Sequence, residues 1–154
     1  MTRPGKDELE ELLRRLTEAN VSLIQALKDS DPDLFGTETS DGESLKQTLE
    51  RTADDVHFYY GRLVARAMSL PQPPCLMKAD FSSLREAAAS VQIAHRRLTN
   101  LLHDLVPGDL DRKAVDPELG TYTLRQILEM ATAHYALRAQ QVARLGREIA
   151  EAGE

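Results

Sequence analysis

Apolar residues recur at alternating spacings of three and four in four separate stretches of this chain. The most regular stretch lies nearest the C-terminus, at positions 124, 128, 131, 135, 138, 142, 145 and 149. Seven of these eight positions hold Leu, Ala, Tyr, Val or Ile, and the eighth holds Arg138. The spacing predicts a helix that buries one face against its neighbours and carries a single guanidinium on that face.

Three of the stretches begin with the pattern of a capping box, in which Ser or Thr is followed three residues later by Gln or Glu. Such a pair satisfies two of the amide donors that the start of a helix leaves unpaired. The pairs in this chain are Ser44 with Gln47, Ser83 with Glu86, and Thr123 with Gln126. They predict helices that begin directly after residues 44, 83 and 123.

The spacing and the turn signals together predict an all-α protein, a four-helix bundle that forms a single domain over residues 1–154. Its helices are expected over residues 6–29, 44–69, 83–105 and 123–149. The connection between helices three and four, residues 106–120, is longer than antiparallel neighbours need. We therefore expect it to cross one end of the bundle or to shape the mouth of a cavity.

Composition and charge argue against several classes of protein. The chain has 154 residues and a net charge of −6, with basic residues spread among acidic ones, which argues against nucleic-acid binding. The single cysteine, Cys75, excludes a framework of intrachain disulfides and fits a reducing compartment. No apolar run resembles a signal segment or reaches membrane-spanning length, so we expect a cytoplasmic protein without membrane partners.

Two segments resemble a known family. Residues 110–145, LDRKAVDPELGTYTLRQILEMATAHYALRAQQVARL, are similar to the last crossover and fourth helix of the DinB-like (YfiT-like) four-helix bundle family. Residues 40–55, SDGESLKQTLERTADD, resemble the lead into the second helix of that family. The resemblance implies a bundle that holds one divalent metal, often nickel or zinc, with three histidines. It also implies a homodimer and, for several members, a thiol-dependent transferase or hydrolase activity.

The resemblance carries over to this chain residue by residue. His134 matches the first histidine of the His-x-x-x-His pair on the fourth helix, and Gln141 matches a glutamine that commonly follows this pair. Arg138 stands where the second histidine belongs, and Arg51 stands where the helix-two histidine is expected. Arginine keeps its proton in proteins and has no lone pair to give a metal. The metal motif is therefore degenerate, and we expect no metal cofactor.

A rebuilt metal site is the alternative. His57 and His134 could hold zinc or nickel together with one of Asp54, Asp55 or His95, since both metals accept such sets of ligands. The protein would then be a metal-dependent thiol transferase or hydrolase with an atypical ligand set. The other interpretation of each histidine is a hydrogen-bonded side chain in a groove or at the surface. Whether the protein is an enzyme stays open at this stage.

The two arginines suggest a different function, the binding of a small and possibly anionic molecule in the bundle cavity. Two guanidiniums and an imidazole can hold a carboxylate or a phosphate by bidentate hydrogen bonds. The competing interpretation is internal pairing of the arginines with Glu50, Asp54, Asp55 or Glu129. The predicted ligand-binding residues are Arg51, His57, His134, Arg138 and Gln141.

Overall fold

The computed structural model describes residues 4–71 and 78–152, and these contain four helices. The helices are α1 (Pro4–Lys28), α2 (residues 45–68), α3 (Leu84–Leu101) and α4 (Leu124–Ala152). Helix α2 is continuous but not uniform, because α-helical Leu45–Asp54 and Gly61–Met68 flank a π-helical turn, Asp55–Tyr60. The predicted four-helix bundle is confirmed. The predicted loop around Cys75 lies outside the described residues.

The helices bury the apolar stripes that the spacing predicts. Helix α1 packs along α4, and α2 packs against both α3 and α4. Large side chains from all four helices are fully buried between them, among them Leu16, Leu49, Leu98 and Tyr135. Each such side chain contributes roughly 1.5–3 kcal/mol relative to an exposed one, so the shared core is the main source of stability. None of the described helices is long and apolar enough to cross a membrane.

The three predicted caps are present. At the start of α4 the capping box is complete, because Thr123 Oγ1 accepts a hydrogen bond from the Gln126 amide at 3.2 Å and Gln126 Oε1 accepts one from the Thr123 amide at 2.8 Å. Ser44 accepts from the Gln47 amide, and Ser83 accepts from the Glu86 amide. Each of these hydrogen bonds satisfies an amide that the first turn of a helix leaves free.

Helix α3 is shorter than the spacing predicts. It ends at Leu101, since Leu102 has left helical geometry at φ −99° and ψ 1°, and the predicted extension to residue 105 is wrong. On its inner face Ala87 and Ala94 are fully buried, whereas His95 is half-buried.

The connection between α3 and α4 contains regular structure that the all-helical prediction did not include. A 3-10 turn, Pro107–Asp111, leads into an antiparallel hairpin of β1 (Lys113–Asp116) and β2 (Gly120–Thr123). The strands have four residues each, too few for alternation to predict them reliably. The hairpin packs against the C-terminal half of α2, so the connection covers one side of the bundle end.

A buried carboxylate fastens this hairpin. The side chain of Asp116 is fully buried, and its Oδ2 lies 2.7 Å from the Nε atoms of both Arg62 and Arg66 on α2. Its Oδ1 accepts hydrogen bonds from the amides of Glu118 and Leu119 in the hairpin turn. Burial raises the pKa of Asp116, but these amides and the two arginines outweigh burial and lower the pKa below its ordinary value.

Candidate functional site

A polar cavity of about 280 Å³ lies between the N-terminal part of α2, the turn that precedes it and the middle of α4. Helix α2 contributes Arg51, and α4 contributes three polar side chains on one face at spacings of three residues. The preceding turn adds two carboxylates to the wall. The charged and amide side chains that line the cavity include Arg51, Arg138, Gln141, Arg144, Asp41 and Glu43.

Arg138 is held in a fixed position at the wall of the cavity. Its Nη2 lies 3.2 Å from Oδ2 of Asp55, and its Nη1 donates a 2.9 Å hydrogen bond to Oε1 of Gln141. The side chain is only 16% exposed, so the guanidinium is largely removed from water. One of the carboxylates considered as internal partners in the sequence, Asp55, is therefore the partner that the fold supplies.

Asp55 is the first residue of the π-helical turn in α2. A π turn adds a residue to one turn of the helix and rotates the side chains that follow it. Such turns often lie at functional sites. At the start of this turn, Asp55 lies beside both Arg138 and His134 of α4.

His134 lies behind Arg138 and is nearly enclosed, with 10% of its side chain exposed. Its Nε2 is 3.8 Å from Oδ2 of Asp55, and its ring packs at 5.3 Å from the ring of Tyr60. The pKa of His134 is lowered to about 4, chiefly by burial and also by the charge of Arg138, while Asp55 opposes both. The imidazole is therefore neutral at pH 7. Within the described residues, its buried Nε2 has no hydrogen-bond partner.

Arg51 and Arg138 line the same cavity, although they lie on different helices. The side chain of Arg51 is exposed, and within the described chain no carboxylate lies within 4 Å of its guanidinium. The fold therefore brings Arg51, Arg138 and Gln141 together at one cavity. His134 lies beside Asp55, the carboxylate that orients Arg138.

His57 does not line this cavity. It lies within the π turn and is half-buried. Burial lowers the pKa of His57, as does the charge of Arg97 on α3, while Asp54 opposes both. The π turn departs from 100° per residue at the position of His57, so regular helical spacing does not give the direction of this side chain.

Arg144 and the acidic turn before α2 were missed in the sequence. Arg144 Nη2 lies 2.8 Å from Oε2 of Glu43, and its Nη1 lies 3.1 Å from Oε1 of Glu148. A signal for Arg144 was present, because Arg138, Gln141 and Arg144 are spaced three apart and share one helix face. No local signal indicated that Glu43 would meet Arg144, since they are 101 residues apart.

The comparison with known families identifies the fold. The sequence model of the DinB superfamily matches residues 7–142, most of the chain. This chain belongs to the DinB superfamily. Searches of curated proteins and of solved structures returned no significant match.

A metal ion at this site would need several side chains that each offer a free lone pair. Only His134 among the aligned positions offers a lone pair, since Arg51 and Arg138 have none to give. The nearest carboxylate, Asp55, is already paired with Arg138. Across residues 4–71 and 78–152, no three His, Cys, Asp or Glu side chains converge as they would around a metal ion. The side chains of this DinB superfamily site therefore do not fit the three-histidine centre that the resemblance implies.

The remaining candidate histidine, His95, is half-buried and is hydrogen-bonded to a core tyrosine. His95 Nδ1 and the hydroxyl of Tyr135 lie 2.9 Å apart in a hydrogen bond, and the two rings meet edge to face at 5.3 Å. Burial lowers the pKa of His95 and raises that of Tyr135. This pair satisfies two polar groups inside the DinB-like bundle, which explains why a histidine and a tyrosine occur on facing apolar stripes.

Proposed function

We propose that this DinB superfamily protein binds a small molecule through an anionic group in the cavity between α2 and α4. The observation that carries the proposal is the meeting of Arg51, Arg138 and Arg144 in one cavity of about 280 Å³. Guanidinium groups match carboxylates and phosphates in geometry as well as in charge. One arginine at a surface would not indicate a site, whereas three that line one small cavity place several guanidinium donors around the same space.

The arginines take different parts in this proposal. Arg138 is oriented by Asp55 and Gln141, so little side-chain freedom remains to be lost when a ligand binds. Arg51 is exposed and has no carboxylate within 4 Å in the described chain, so its charge is available to the ligand. The proposed binding step is therefore the closing of Arg51 onto an anion beside a fixed Arg138.

Anion-dependent stabilisation tests the proposal. Phosphate and citrate should raise the melting temperature of the wild-type protein, since a ligand that binds only the folded state stabilises it in proportion to its occupancy. Arg51→Gln should remove most of this rise. Arg85→Gln is the matched control, because Arg85 is exposed on α3 and does not line the cavity. Equal stabilisation of all three proteins, or of none, contradicts the proposal.

The loss of the metal site is part of the same proposal. Arginine occupies two of the three positions at which the family resemblance places histidines, and Asp55 is engaged by Arg138. The alternative site that includes His57 and His134 stays a prediction, and metal analysis of the purified protein decides between the two. The homodimer and the cytoplasmic location also stay predictions; sedimentation velocity tests the first.

A further inference from the structure

The charges around the cavity largely cancel in pairs. Arg138 is matched by Asp55 at 3.2 Å, and Arg144 is matched by Glu43 at 2.8 Å. Arg144 also has Glu148 as a second partner on its own helix. The net positive charge of the cavity is therefore smaller than the number of arginines implies. A ligand would interact mainly with the charged side chains that have no such partner.

One charge of each sign is left over. Within the described residues, neither Arg51 nor Asp41 has an oppositely charged side chain within 4 Å, although both line the cavity. Since the two do not pair with each other, the cavity offers a cationic and an anionic group that are separate. A purely anionic ligand would match Arg51 but would lie near the carboxylates of Asp41 and Glu43.

The backbone holds Asp41 in place. The turn that carries it is closed by hydrogen bonds from the Gly42 amide to the Thr39 carbonyl at 2.9 Å and from the Thr39 amide to the Glu43 carbonyl at 2.7 Å. Gly42 has φ +79°, in the left-handed region that favours glycine. The backbone of Asp41 therefore has a defined position, and its exposed side chain lines the cavity wall.

We infer that the ligand is zwitterionic, with a carboxylate or phosphate group on Arg51 and Arg138 and an ammonium group on Asp41. The inference rests on the proposed function and names the class of ligand for that site. A cavity of about 280 Å³ has room for a compact molecule of this kind, since a water molecule takes about 30 Å³ in the liquid. Each charged end then meets the side chain that the protein leaves unpaired.

Length-matched probes test the inference. Amide chemical shifts would be followed by NMR during titration with ω-amino acids of three to six carbons, with the corresponding carboxylic acids and with the corresponding amines. At least one ω-amino acid should bind about fivefold tighter than its matched acid, the size expected for one partly exposed ion pair. It should also bind tighter than its matched amine, because the amine cannot use Arg51.

Three variants assign the effect to the two charges. Asp41→Asn should remove the advantage of the amino acid over the acid without weakening the acid. Arg51→Gln should weaken both. Glu38→Gln is the matched control, because Glu38 is an exposed carboxylate of the same segment that does not line the cavity. In this variant the amino acid should still bind tighter than its matched acid.

The outcomes separate the inference from the proposed function. If the acids or phosphate bind but no amino acid binds tighter, or if Asp41→Asn keeps the advantage, the zwitterion inference is overturned and the anion site stands. If the amine binds as tightly as the amino acid, the inference is overturned as well. If neither acids nor phosphate nor amino acids bind, both the inference and the proposed function are wrong.

Discussion

Arg138 shows how a charged residue is accommodated on an apolar helix stripe. Its neighbours on the stripe, Tyr135 and Val142, are fully buried, yet its own head reaches Asp55 and Gln141 at the wall of a cavity. A long aliphatic stem allows this, since it covers apolar surface while the guanidinium finds acceptors. The break in the periodic pattern therefore marks the place where the bundle is not filled by side chains.

The Arg138–Asp55 pair should contribute modestly to stability. Asp55 is 43% exposed, so water screens the pair and can hydrate the carboxylate when its partner is lost. Arg138→Ala is expected to lower the free energy of unfolding by about 1–2 kcal/mol, in part through lost packing of the stem. Arg138→Met should retain the packing part. A double-mutant cycle with Asp55→Asn, followed by denaturant unfolding, should give a coupling of at most about 1 kcal/mol.

His134 should make stability depend on pH. Its pKa is about 4 in the folded protein and near 6.5 in the unfolded chain, so the unfolded chain binds the proton more tightly. The contribution of His134 to the free energy of unfolding is therefore fully present above pH 6.5. It is lost as the pH falls towards 4, by up to about 3 kcal/mol. Denaturant unfolding at a series of pH values measures this slope.

Two variants isolate the contribution of His134. His134→Gln should flatten the slope between pH 6.5 and 4, although His57 and His95 act in the same direction because burial lowers both of their pKa values. Arg138→Gln removes a charge that lowers the pKa of His134, so an NMR titration of this imidazole should move to higher pH. A wild-type His134 that titrates near pH 6.5 contradicts the burial described above.

At the scale of elements, one side chain decides whether the hairpin stays on the bundle. Asp116→Asn keeps an acceptor for the amides of the turn but removes the charge that Arg62 and Arg66 share. We expect amide protection in residues 113–123 to fall by roughly tenfold in hydrogen exchange, since breaking a buried ion pair loosens the segment that it fastens. Glu118→Gln is the matched control, because Glu118 is 75% exposed and its contact with Arg62 is a long one, at 3.5 Å. Amide protection of the hairpin should not change in this variant.

The π turn of α2 also acts at the scale of an element, because it interrupts the regular helical period within Asp55–Tyr60. It lies in the middle of α2, between two regular helical parts that share one apolar stripe. A helical wheel drawn through it assigns wrong directions to the residues within the turn. His57, within the turn, does not line the cavity, whereas Asp55, at its start, lies beside Arg138 and His134 of α4.

At the scale of the whole molecule, metal content is the decisive property. Protein purified without a histidine tag should carry well under one equivalent of nickel, zinc or iron, because two aligned positions hold arginine. Added zinc should change the melting temperature little. One tightly held metal per chain that is lost in His134→Ala would contradict the proposed loss of the metal site. It would favour the alternative, a metal-dependent thiol transferase or hydrolase.

Restoring the histidines tests the alignment itself. The double variant Arg51→His and Arg138→His recreates the three-histidine pattern together with His134, on two helices that already meet at one cavity. It should gain zinc or nickel, measured by elemental analysis and by a raised melting temperature. A folded double variant that binds no metal would show that Arg51 and Arg138 do not occupy the family's ligand positions.

Local interactions determined much of this protein from the sequence alone. The periodic apolar residues and the three caps predicted four helices and their starts, because both signals act between residues three or four apart. The break at Arg138 and the resemblance around it also singled out Arg51, Arg138 and Gln141, which line one cavity in the fold. The all-α fold and the DinB superfamily follow from these segments.

Contacts between distant segments decided the rest. Asp55 and Arg138 are 83 residues apart, and Glu43 and Arg144 are 101 apart, so no local pattern pairs them. Asp116 of the hairpin likewise meets Arg62 and Arg66 of α2, and the π turn interrupts the regular period of α2 at His57. An ion pair depends on where whole helices meet, whereas helical periodicity depends only on neighbours along the chain; the chemistry of the cavity was therefore decided by the tertiary structure.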